Sequence, residues 1–171
     1  MRQYKNKLVV LRGNSGSGKS TVATALRDES NSNVAVVEQD YLRRIVLKEK
    51  ETEGSNNIDL IRQTVEFCLE HHYDVILEGI LYFPRYGNML KQLVEQCPNN
   101  FFYYFDVSFE ETLRRHATKH NAHEFGEKEM REWYKQNQLT HFVSEKVIPE
   151  SFTKEDAVMK ILAETGLSLA T

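Results

Sequence analysis

Residues 13–20 read Gly-Asn-Ser-Gly-Ser-Gly-Lys-Ser, the spacing G-x-x-x-x-G-K-[ST]. Gly13, Gly16 and Gly18 allow positive φ and let the backbone come close to a ligand. The N–H groups of such a loop converge on an anion, and the helix that follows adds its N-terminal dipole. Lys19 is then placed to reach the β- and γ-phosphates of a nucleoside triphosphate, and the Ser20 hydroxyl to ligate Mg²⁺. The nucleotide-contacting candidates are Gly13, Asn14, Ser15, Gly16, Ser17, Gly18, Lys19, Ser20 and Thr21.

The motif needs a strand before it and a helix after it, and the flanks comply. Lys7–Leu11 is a short apolar, β-branched-rich run, the pattern of a buried strand. From Ser20 to Glu29 the residues suit a helix, with Val22, Ala25 and Leu26 on one face. A chain of 171 residues is large enough for one domain with a real core. Its net charge of −3 supplies no global basic field to attract a polynucleotide. Cys68 and Cys97 lack C-x-x-C spacing and read as buried thiols in a reducing compartment. The first residues hold too short an apolar run for a signal peptide, and no stretch reaches 18 apolar residues, so a cytoplasmic protein without membrane contact is expected.

Further along, apolar runs alternate with helical patterns. Strands are predicted at Val34–Val37, Asp74–Gly79, Phe101–Val107 and Lys146–Ile148. Helices are predicted at Asp40 to about Lys50 (Leu42, Ile45 and Val46 on one side), Ile58–His72, Pro84–Cys97, Ser108 to about His120, Glu127–Leu139 and Thr153–Thr165. Ser108 with Glu111 has capping-box spacing, and Gly166 is a C-cap. The Phe101–Phe105 run reads as a buried strand, not a base-stacking platform, and Trp133 and Tyr134 read as packing residues. No repeat or linker interrupts the chain, so residues 1–171 form one α/β domain with a parallel sheet between helices.

Taken together, these features resemble the small P-loop kinases over nearly the whole chain. The nearest pattern is the polynucleotide-kinase, chloramphenicol-phosphotransferase and zeta-toxin group, whose anonymous members are commonly termed uridine kinase-like. The resemblance implies a three-layer sandwich around a five-stranded parallel sheet of order 2-3-1-4-5. It also implies a helical lid after the fourth strand, here approximately residues 114–128, and ATP as the nucleotide. Asp40-Tyr41-Leu42-Arg43 matches D-x-x-R after the second strand. In the resembled enzymes the Asp takes the acceptor hydroxyl's proton and the Arg grips the acceptor, with Arg44 the alternative grip here. A carboxylate leaving the carboxyl end of a strand is well placed for that work, although an N-cap is the plain alternative for Asp40. Glu78, ending the third strand before Gly79, resembles the acidic position that holds a Mg²⁺-bound water or orients the acceptor; Glu38 could compete with Asp40 as base.

Lid cations would steady the transferring phosphoryl group. Arg115 is the first choice among Arg114, Arg115 and Lys119, because relatives commonly carry Arg near 119 and Lys lacks the bidentate fork. His116 and His120 are spaced i, i+4, yet neither an H-E-x-x-H pattern nor a Cys pair supports a metal site. Lys19, Asp40, Arg43 and Arg115 are the catalytic candidates, and Ser20 and Glu78 the metal candidates. The expected function is a kinase that moves the γ-phosphate of ATP, with Mg²⁺, to a hydroxyl of a nucleoside-, sugar- or antibiotic-like molecule. The alternatives are a polynucleotide 5′-hydroxyl kinase, disfavoured by the acidic balance, and a nucleoside monophosphate kinase using Arg62 or Arg85. A regulatory nucleotide-binding module ranks below both. The acceptor and the oligomeric state are not legible in these residues.

Overall fold

The computed structural model describes residues 3–30, 33–52, 54–118, 122–136 and 138–167. Five strands, β1 (Leu8–Gly13), β2 (Val34–Glu38), β3 (Asp74–Gly79), β4 (Asn100–Asp106) and β5 (Glu145–Pro149), form one parallel sheet in the order β2-β3-β1-β4-β5. Among the described residues six α-helices accompany them: α1 (Lys19–Glu29), α2 (Asn57–Glu70), α3 (Phe83–Gln96), α4 (Phe109–Ala117), α5 (Glu127–Trp133) and α6 (Lys154–Thr165). This is the expected strand order.

Strand alternation sorts the core into two halves. Leu8, Val10, Val75, Leu77 and Phe102 face α2 and α3, packing on Ile61, Val65, Leu90 and Leu93. Val9, Leu11, Ile76, Tyr103 and Phe105 face α1 and α6, packing on Val22, Leu26, Val158 and Ile161. Both faces are therefore dry, which is why these strands read as unbroken apolar runs. The register sets Leu11 beside Glu78 and Arg12 beside Gly79, and Glu38 beside Glu78, so the carboxyl ends of β1, β2 and β3 finish level. Helix ends follow local chemistry: Thr153 and Asp156 form a reciprocal capping box on α6, and Gly166 closes it at φ 61°.

Several expectations need correction. Residues 41–46 do not form an amphipathic α-helix. They wind as a π-helix, with the Leu47 N–H bonded to the Leu42 carbonyl at 3.1 Å. The wider turn leaves Ile45 62% and Val46 52% exposed, and only Leu42 packs against the core. The helix from Glu127 stops at Trp133 instead of Leu139, because the Lys135 N–H and carbonyl are both taken by the Asn14 side chain, at 2.9 and 2.7 Å. Trp133, although 43% exposed, packs against the Phe125 ring as expected. Cys97 is buried, but Cys68 is only half-buried. Ser108 caps α4 by accepting from the Glu111 N–H at 3.3 Å; the reciprocal bond is missing because Glu111 turns to Arg114 and Arg115, and Glu150 takes the Ser108 N–H instead. Lys119 and His120 lie outside the described residues.

Candidate active site

The glycine loop leaves β1 through Gly13 at φ 150° and enters α1 through Gly18 at φ 100°. Gly16, at φ 80°, lies so close to the Thr112 carbonyl that a Cβ would sit 2.6 Å from its oxygen, so no other residue fits there. No side chain caps α1, which leaves its first N–H groups for an anion. The Lys19 ammonium donates to the Asn14 carbonyl at 2.8 Å and to Ser17 Oγ at 3.3 Å, which aims it along the loop. The Ser20 hydroxyl donates to Glu78 Oε1 at 2.9 Å. Burial pushes the Glu78 carboxyl above its ordinary pKa, while the Lys19 charge and the Ser20 hydrogen bond pull it back.

A cavity of about 260 Å³ opens beside the loop, lined by Ser15, Gly16, Lys19, Ser20, Asp40 and Glu78 among others. The level ends of β1, β2 and β3 bring these side chains together. Asp40 lies on the open side, its carboxylate accepting from Arg43 Nη2 at 2.8 Å. Arg43 itself does not line the cavity. Its guanidinium turns inward, donating also to the Glu49 carbonyl at 3.2 Å. Arg44 does line it, bridging Asp40 at 3.9 Å and Glu124 at 3.1 Å. Arg62 and Arg85 lie away from it, paired with Glu66 at 2.8 Å and Glu51 at 3.5 Å.

On the other side of the loop, a second cavity of about 500 Å³ is lined by Gly18, Thr21, Arg115, Thr118, Pro149 and Phe152 among others. Arg115 lines this second cavity and not the first. It donates to the Ser17 carbonyl and to the Glu150 carbonyl, each at 3.0 Å, and is held by Glu111 at 2.7 Å. The hydrogen bonds from Arg114 and Arg115 hold the Glu111 carboxyl down at about 2. Arg114 is 71% exposed and, among the described residues, pairs with Glu111. His116 packs flat on Phe125 and bonds its carbonyl through Nε2 at 2.9 Å. Gly13 and Asn14 border neither large cavity, and the Asn14 amide is committed to Lys135.

A loop of this build between strand and helix, with both cavities at the carboxyl ends of the sheet, defines a nucleotide-binding fold, and the family comparison agrees. Residues 8–141 match the AAA domain family. The chain belongs to that family. No curated protein matches it. Among solved structures it is similar to the crystal structure of APE1195 (20% identity, TM-score 0.71, covering 99% of this chain and 100% of that one). A gluconokinase from Sinorhizobium meliloti 1021 shares the fold at 17% identity and TM-score 0.66, covering 96% and 94%. So does the Mycobacterium tuberculosis APS kinase CysC, whose structure holds AMPPNP and APS, at 15% identity and TM-score 0.70, covering 97% and 99%. This AAA-family chain thus has the fold of the small P-loop kinases.

Two polar assemblies beneath the site escaped the sequence reading. Arg12, fully buried at the end of β1, pairs with Glu145 at 2.7 Å and donates to the Gln138 carbonyl at 3.0 Å. A charge inside the Leu8–Gly13 run was a signal for it, but nothing marked Glu145 as the partner. Gln39, buried next to Asp40, accepts from the Leu81 N–H at 2.9 Å and donates to the Tyr86 hydroxyl at 2.8 Å. Tyr86 donates in turn to Asn57 Oδ1 at 3.0 Å, and burial pushes its phenol up to about 12. Gly79 leaves room for Gln39: a Cβ there would lie 2.6 Å from the Gln39 Cβ.

Proposed function

We propose that this protein is a cytoplasmic, single-domain, ATP- and Mg²⁺-dependent kinase that phosphorylates a hydroxyl of a small molecule. The observation that carries this reading is the shared cavity. Lys19 and Ser20, from the phosphate loop, open onto the same roughly 260 Å³ space as Asp40, a carboxylate suited to receive a hydroxyl proton. The triphosphate lies along the loop, with Lys19 on its β/γ oxygens and the base in the second cavity. Ser20 Oγ and the Glu78 carboxylate, 2.9 Å apart, are hard oxygen donors that suit Mg²⁺, which keeps most of its shell for water and phosphate. Bound there, the ion would neutralise charge on the β and γ oxygens.

Asp40 orients the acceptor hydroxyl and takes its proton as the hydroxyl oxygen bonds to the γ-phosphorus. The bond from that phosphorus to the β,γ-bridging oxygen breaks, and ADP leaves. Arg115, bonded to the Ser17 carbonyl and lining the second cavity, is the cation this reading offers to the phosphates. Arg43 acts on Asp40, which it holds at 2.8 Å, and Arg44 is the acceptor-side arginine. The places of Arg62 and Arg85 away from the cavity weigh against a nucleoside monophosphate acceptor.

The test is transfer of label from γ-labelled ATP with Mg²⁺ to a pool of nucleosides, sugars and aminoglycoside and phenicol antibiotics, with a 5′-hydroxyl oligonucleotide assayed separately. Label in a small molecule, lost in Asp40→Ala with nucleotide binding retained, supports the reading. Label on the oligonucleotide alone makes the protein a polynucleotide kinase. ADP formed with no labelled acceptor, unchanged in Asp40→Ala, removes Asp40 from the mechanism.

A further inference from the structure

Resting on that kinase reading, the cavity wall also carries information about the acceptor's charge. Four carboxylates line it, Glu38, Asp40, Glu78 and Glu124, against two cations, Lys19 and Arg44. Both cations are committed. Lys19 is bonded into the phosphate loop at the Asn14 carbonyl and faces the triphosphate. Arg44 is shared between Glu124 and Asp40 and sits 5.8 Å from the centre of the Phe125 ring. Glu38 differs from its neighbours. It is exposed at the end of β2, in register with Glu78, and makes no hydrogen bond or ion pair among the described residues. Asp40 and Glu124 share Arg43 and Arg44, and Glu78 is the proposed Mg²⁺ ligand, so of these four Glu38 is left without a countercharge; with the reacting phosphate also an anion, an acceptor with a negative charge would meet like charge at both.

The rim adds a second, independent constraint. Tyr41 and Ile45 are 55% and 62% exposed where the π-helix borders the cavity, and Ile80 and Phe125 complete the apolar part of the lining. Large apolar side chains left in water at the mouth of a binding cavity are covered when a ligand with an apolar body enters. The cavity is also small: about 260 Å³ falls below the roughly 300–1,000 Å³ of pockets that take drug-sized ligands, and the γ-phosphate shares it. The acceptor therefore presents a compact polar end to Asp40 and rests its body on the rim.

We infer that the acceptor is a cationic hydroxyl compound, an amino alcohol with a short apolar or aromatic body. Its ammonium group pairs with Glu38, its hydroxyl reaches Asp40, and its body covers Tyr41 and Ile45. Sugar acids, nucleotides and polynucleotides fail the charge condition.

Three probes of nearly one shape isolate charge: 2-amino-1-phenylethanol (cation), 1-phenyl-1,2-ethanediol (neutral) and mandelate (anion). Their binding is measured by titration calorimetry or ligand-observed NMR on the full chain, loaded with Mg²⁺ and a non-hydrolysable ATP analogue. The amine is expected to bind at least tenfold more tightly than the diol at low ionic strength, and mandelate more weakly still. That preference shrinks with added salt. In Glu38→Gln the amine loses about tenfold while the diol and the ATP analogue bind as before. Mandelate binding as well as the amine, or an amine preference unchanged in Glu38→Gln, overturns the inference. Failure of the kinase reading has its own signature: the amine binds with the stated preference, yet no hydroxyl compound takes label from γ-labelled ATP.

Discussion

The phosphate-loop wall and the proposed acceptor wall of the cavity stand at the ends of β1 and β2, on either side of β3, yet they are built differently. Behind the loop, Arg12 and Glu145 form a buried ion pair, Asn14 is tied to Lys135 by two hydrogen bonds, and Arg115 bolts the loop to α4 and to the turn after β5. On the proposed acceptor wall the π-helix buries none of its residues, and its Arg44 reaches out to Glu124 and the Phe125 ring from a partly exposed position. On the proposed function, triphosphate geometry is the same in every reaction of this kind, so a wall that receives it gains from being fixed. Acceptors vary, and a thinly packed wall can change side chains at little cost in stability.

The contrast is tested most severely at Asp40. On the proposed mechanism Asp40→Asn removes the proton acceptor from the exposed wall, and general-base loss costs roughly 10²–10⁴-fold in turnover. Single-turnover transfer from labelled ATP should fall by that factor, while nucleotide affinity and the unfolding midpoint stay near those of the parent. A large fall in stability instead would show the acceptor wall to be as structural as the other.

Arg12→Met asks the opposite of the phosphate-loop wall. It leaves Glu145 buried without its cation, and breaking a buried pair in this way costs about 3–5 kcal/mol. Urea unfolding should show that loss, and Arg12→Met with Glu145→Met together should recover most of it. Tyr86→Phe is smaller. It strands the Gln39 amide and the Asn57 oxygen, each otherwise satisfied by the same hydroxyl, for about 1–3 kcal/mol. Because Gln39 adjoins Asp40, this variant should also raise the KM for the acceptor while leaving that for ATP unchanged.

The same contrast explains what could be read from the chain alone. The loop was legible because its chemistry is local: three glycines, a lysine and a serine in eight residues specify the turn, the anion and the helix start. The strands were legible because a sheet buried on both faces leaves apolar runs such as Leu8–Leu11 and Val75–Leu77. The π-helix was not, since Leu42, Ile45 and Val46 suit an α-helical face equally well, and their spacing does not distinguish i−4 from the i−5 bonding that the Leu47 N–H makes to Leu42. Nor was the end of α5, decided by Asn14 far back in the sequence, or the pairing of Gln39 with Tyr86. D-x-x-R pointed to Arg43, yet in the fold Arg43 turns to Asp40 and Glu49 while the next residue, Arg44, reaches the cavity. Such destinations depend on backbone winding, which residue spacing alone does not encode.

The smallest effect belongs to Glu111, which holds Arg115 beside the loop from a partly exposed face of α4. Its carboxyl, ordinarily near 4.5, is held at about 2 by hydrogen bonds from Arg114 and Arg115. A lowered folded-state value means the pairing stabilises the fold above the ordinary value and is lost as pH falls from about 4.5 through about 2. Glu111→Gln should therefore lower the urea midpoint slightly at pH 7 and by less at pH 3, where the parent has begun to lose the same contribution. Exposure and salt screening keep both differences small. Arg115 keeps its bonds to the Ser17 and Glu150 carbonyls in the variant, so turnover should fall only a few-fold. A fall as deep as that in Asp40→Asn would mean that Arg115 is positioned by Glu111 and not by the loop, and the phosphate-loop wall would then depend on the same kind of exposed ion pair as the acceptor wall.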